Sequence, residues 1–158
     1  MYVVAGTFIL FFGWFEFNAG STLAATDLRI SVIAINTFLA GATGAVVALY
    51  LSLARAGQAE VVQACNGSLA GLVGITAPCA FVAPWAAVVI GAIAPLVMDW
   101  ANAFVERRLK VDDPVGAVGV HGGRAHSLTV VARTRGTAAT RSTPSRSWLG
   151  GPGARLGP

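Results

Sequence analysis

Charge is what this sequence has least of. Only 11% of its 158 residues are Asp, Glu, Lys or Arg, against roughly 25% in an ordinary soluble domain. With 55% hydrophobic residues and a mean hydropathy of +0.68, that scarcity excludes the soluble globular class and makes the bilayer the natural solvent. Acidic residues are absent from 124–158, which holds six Arg, whereas 1–123 carries five basic residues against seven acidic. The net charge of +4 therefore belongs to one segment, and a nucleic-acid partner is excluded. Cysteine is scarce too: Cys65 and Cys79 have no CxxC spacing and no neighbouring His, so they read as buried, inert thiols and no metal site is expected. No Ser/His/Asp set, phosphate-binding loop or metal cluster is present in the pattern, so neither an enzyme nor a cofactor is expected. Met1 leads straight into apolar residues without a basic stretch, which argues against a cleavable signal peptide.

What the sequence does contain is long uncharged runs. Ile30 to Ala54 is 25 residues between Arg29 and Arg55, and about 20 helical residues cross a hydrocarbon core. The 38 uncharged residues between Glu60 and Asp99 are too many for one helix, and Pro78 and Pro84 divide them. The predicted spans are 1–22, 30–54, 61–77 and 84–105, with a fifth starting at 114–123. Pro95 predicts a kink in the fourth, and Asp99 an acid at membrane or interfacial depth. Gly41 and Gly44, Gly67 and Gly71, then Gly74 allow close approach of helices where lipid supplies no hydrophobic drive between them. Asn18, Asn36 and Asn66 are expected to hydrogen-bond between helices.

Basic residues set the orientation. With residue 1 cytoplasmic, the inner loops hold Arg55, Arg107, Arg108 and Lys110, and the outer loops hold only Arg29. A multi-pass cell-membrane protein with a cytoplasmic N-terminus is expected. The segment 124–158, rich in Arg, Thr, Ser, Gly, Ala and Pro, reads as a disordered tail.

Four blocks carry a resemblance: "FGWFEFNAGSTLAA" (12–25), "INTFLAGATGA" (35–45), "ACNGSLAGLVGITAPCAFVAPWAAVVIGAIA" (64–94) and "LKVDDPVGAVGVHG" (109–122). In order and spacing they are similar to the ammonium transporter family, the Amt, Mep and Rhesus proteins. The resemblance implies an all-α integral membrane fold and a part of the family bundle: about four full transmembrane helices plus a truncated fifth, from the second of two inverted repeats. It also implies trimers, with one pore per subunit, and a partner segment supplying the first repeat.

By the same resemblance, Trp14 and Ser21 match positions at an outer recruitment site for ammonium, and Phe17 matches one of two stacked gating phenylalanines. An aromatic face attracts a cation by about 0.5–2 kcal/mol, and a serine oxygen accepts an N–H. His121 matches one of two pore histidines, which in relatives relay a proton while ammonia crosses. Asp112 and Asp113, just before Pro114, read as caps of the fifth helix. Glu16 departs from the family, which commonly has a small residue there. The abrupt turn to Arg-rich sequence after Gly123 is what out-of-frame translation of a GC-rich gene would give. The expected function is ammonium/ammonia transport by an incomplete member, with a non-transporting membrane fragment or a partner of full-length relatives as the alternative.

Overall fold

The computed structural model describes residues 1–104 and Val120. The expected fifth helix, the capping pair Asp112 and Asp113, His121 and the tail 124–158 lie outside the described residues. Within them four helices are joined by short turns: α1 (Tyr2–Gly20), α2 (Arg29–Ala56), α3 (Val61–Thr76) and α4 (Pro84–Phe104). By length and composition, α1, α2 and α4 can each cross a membrane. The 16 residues of α3 rise only about 24 Å.

Local chemistry places the ends. Gly57 closes α2 in the left-handed region at φ 68°, where a Cβ would be strained, and its N–H returns to the Leu53 carbonyl at 3.0 Å. Pro78 follows α3 by two residues and Pro84 opens α4, where a missing N–H costs nothing. Pro95 lies inside α4, which continues as helix on both sides of it.

At the start of α2, Asp27 accepts the Arg29 backbone N–H at 2.9 Å and the Arg29 guanidinium at 2.7 Å. The guanidinium first, then the backbone N–H, hold this carboxyl down at about 2. A depressed acid stabilises the fold above its unfolded pKa of about 3.9, and that contribution fades as pH falls towards 2. A carboxyl ¹³C titration is expected to place Asp27 near 2, and Arg29→Gln to return it towards 4; an unmoved midpoint would show that Arg29 is not the cause.

Helix α2 is the centre and packs on the other three, most extensively on α3. The two are antiparallel: Ala40 lies by Gly71, Gly44 by Gly67, and Ala48 also by Gly67. Ala40, fully buried, is where α2, α3 and α4 meet, because its backbone lies against both Gly71 and Gly91. Any side chain at either glycine would occupy the space of the Ala40 carbonyl. Around this junction pack Ile33, Ile75, Cys79 and Ala87. A second cluster joins Ala70 of α3, Met98 of α4 and Val120.

Polar side chains at depth tie elements together. Asn36, fully buried, donates to the carbonyls of Cys79 (2.8 Å) and Val82 (2.9 Å), fastening the α3–α4 connection to α2. Asn18 donates to Thr37 Oγ1 at 3.0 Å, tying α1 to α2. At the opposite end, Asp99 of α4 accepts Arg55 Nη1 and Gln63 Nε2, each at 2.7 Å, and so joins three helices. Asn66 lines a groove between α1 and α3 together with Val3, Thr7, Leu10, Val62 and Leu69. Cys65 and Cys79 are buried free thiols.

Candidate functional site

Trp14, Phe17 and Ser21 follow at intervals of three and four, so they share one face of α1. Helical rise orders them along the axis. Ser21 is at the end of the helix, Phe17 about 6 Å deeper, and Trp14 about 10 Å deeper than Ser21. Along the helix axis, Phe17 thus stands between Trp14 and Ser21, the two residues expected at the recruitment site.

What is brought together is the aromatic pair. The Trp14 and Phe17 rings lie 6.1 Å apart, tilted by 60°, within the range where edge and face of two rings attract. Phe17 is 62% exposed and Trp14 half-buried. The Trp14 Nε1–H donates to Thr76 Oγ1 at 2.9 Å, and the Thr76 hydroxyl donates in turn to the Leu72 carbonyl at 2.8 Å.

Ser21 has a defined polarity. Its hydroxyl donates to the carbonyl of Phe17, so its hydrogen is committed to the helix and its oxygen lone pairs remain as acceptors. That arrangement suits a ligand that brings its own N–H donors. Glu16 is exposed and takes no part in the ring pair. Among the described residues, no group of three or more His, Cys, Asp or Glu side chains could hold a metal ion.

Sequence reading does not single out Thr76 or Thr37, the partners of Trp14 and Asn18. Thr76 is 62 positions from Trp14, and a threonine that also bonds its own helix backbone carries no local sign of a distant donor.

The family model described as Ammonium Transporter Family matches residues 1–152. The chain belongs to that family. Ammonium transporter Amt2 of Archaeoglobus fulgidus is 55% identical over 121 residues, which is 77% of this chain and 26% of the relative. Ammonium transporter 1 member 2 of Arabidopsis thaliana is 39% identical over 133 residues, again 77% and 26%. The crystal structure of Saccharomyces cerevisiae Mep2 superposes with a TM-score of 0.75 at 35% identity, covering 82% of this chain and 29% of that one. This ammonium transporter family chain therefore spans about a quarter of the length of the curated relatives it matches. Family membership together with three membrane-length helices makes it a multi-pass membrane protein of a transporter family rather than of an enzyme family, as its composition and motifs predict.

Proposed function

We propose that the chain forms part of a pore that takes up ammonium and passes ammonia, within a trimeric assembly and together with a first-repeat segment. The observation that carries this reading is the 55% identity over 121 residues to a protein named as an ammonium transporter. The outer end of α1 supplies the chemistry. Ser21 accepts an N–H of ammonium at the mouth; Phe17 closes the path beneath it; the Trp14 face offers cation–π attraction on the inner side of that gate. His121 takes and returns the proton, as a neutral imidazole can. The excess of Arg and Lys in the sequence that follows α2 and α4 supports a cytoplasmic N-terminus, which puts Ser21 outside.

The test is growth on limiting ammonium, and methylammonium uptake, in cells lacking their own ammonium transporters. The chain is expressed alone and with a family segment containing helices one to five. Uptake in the second case supports the proposal, and uptake in neither favours a non-transporting membrane segment. Ser21→Ala is expected to raise the KM for uptake about fivefold, the worth of roughly one hydrogen bond. His121→Ala is expected to abolish uptake, and persistence of wild-type rates would remove it from the path.

A further inference from the structure

We propose that Thr76 is a positioning residue for the aromatic pair: its hydroxyl fixes the Trp14 ring, and through that ring the resting position of Phe17. The functional consequence rests on the gating reading of Phe17 given above; the positioning itself does not.

The geometry runs in one direction. The indole N–H of a half-buried Trp needs an acceptor where water is scarce, and Thr76 Oγ1 stands 2.9 Å away. That oxygen is itself held. Its hydrogen is given to Leu72, which turns a lone pair towards α1, and a β-branched side chain has few χ1 states in a helix. The backbone behind it is fixed as well, since Ile75 is fully buried in the cluster around Ala40. On the other flank, Asn18 binds Thr37, so the α1 backbone beside Phe17 is fastened to α2.

The two rings are then the parts left to turn. Phe17 is mostly exposed and has Trp14 as its aromatic neighbour, so the angle of Trp14 limits where Phe17 can stand. Thr76 is the polar group that sets that angle among the described residues. With its hydroxyl deleted, the indole N–H is released and seeks another acceptor; Trp14 rotates, and Phe17 loses the surface it rests on. A gate with a less defined ring position discriminates less by size. Methylammonium, one methyl larger than ammonium, then gains relative to ammonium.

The experiment uses the whole chain with its first-repeat segment in lipid vesicles, Phe17 carrying a para-fluorine as a ¹⁹F probe. Thr76→Val keeps the side-chain outline and removes the hydroxyl; Thr76→Ser restores it. Thr76→Val is expected to shift or broaden the Phe17 ¹⁹F resonance and to raise the methylammonium-to-ammonium uptake ratio about threefold, with Thr76→Ser returning both to the wild-type values. Should Thr76→Val fail to fold, Trp14→Phe, which deletes the donor and retains a ring, must displace the same resonance. A Phe17 resonance unmoved in the folded variant overturns the proposal, as does an effect that Thr76→Ser does not rescue. A displaced, Ser-rescued resonance with an unchanged uptake ratio supports the positioning and overturns the gating role of Phe17.

Discussion

Gly71→Val is expected to separate α3 from α2 and to destabilise the bundle by about 3 kcal/mol or more, the upper end of overpacking costs. A Cβ at this position runs into the carbonyl oxygen of Ala40, with the Ala40 carbonyl carbon at 2.8 Å and the Gly41 Cα at 3.4 Å. These are backbone atoms of a helix that also carries α4, so no flexible side-chain tip can swing aside. Relief comes only from moving α3 outwards, which opens the contacts on which association in lipid depends, close packing rather than hydrophobic drive. Gly13→Ala is the internal control, because a Cβ there meets nothing within 4 Å and the higher helix propensity of alanine acts in its favour. Unfolding midpoints in mixed micelles, followed by far-ultraviolet circular dichroism, check both. A Gly71→Val midpoint equal to wild type would mean that the contact has slack the structure does not show.

The second large effect is at Asn36. Asn36→Ala withdraws one amide group from two carbonyls, Cys79 and Val82, and leaves both to find partners in an apolar setting. Orphaned buried acceptors cost about 1–3 kcal/mol each, whereas hydrogen bonds between membrane helices average about 0.6 and reach about 1.7. A total of about 2–3 kcal/mol is expected. The effect is also local. Cys79 is only 5% exposed, and the amide that holds its carbonyl keeps the α3–α4 connection shut over it. In Asn36→Ala, a maleimide is expected to label Cys79 at least tenfold faster, while Cys65 inside α3 keeps its slow rate. Equal labelling of both thiols would point to general unfolding, and unchanged labelling of Cys79 would show that the connection does not depend on Asn36.

Much of the architecture is legible in where charge and proline fall. Arg29 opens α2 and Arg55 lies in its last turn, since a guanidinium is tolerated at a helix end near the interface and resisted in the middle. Pro78 and Pro84 bracket the connection between α3 and α4 because neither can continue a helix from the preceding turn. The family blocks likewise mark the end of α1 as the place to look for function. The pairings were not legible. Nothing near Trp14 announces Thr76, and nothing near Asn18 announces Thr37: which polar residue meets which depends on how helices pack, and small residues such as Ala40 decide that by permitting contact without showing a pattern of their own. The depth order of Ser21, Phe17 and Trp14 is a further case. The resemblance assigns Trp14 and Ser21 to one site without saying how they are ordered, and helical rise spreads the three residues along about 10 Å of α1.

Among the described residues, the hydrogen bonds from α1 to its neighbours, Trp14 to Thr76 and Asn18 to Thr37, both leave its C-terminal half. Its other half, Tyr2 to Leu10, meets α3 across the groove lined by Val3, Thr7 and Leu10. Mechanically, α1 is a cantilever: clamped beside the aromatic pair and supported elsewhere by dispersion contacts alone among the described residues. The hydrogen bonds therefore fix α1 beside Trp14 and Phe17, while none is made across the groove between Val3 and Val62 among the described residues.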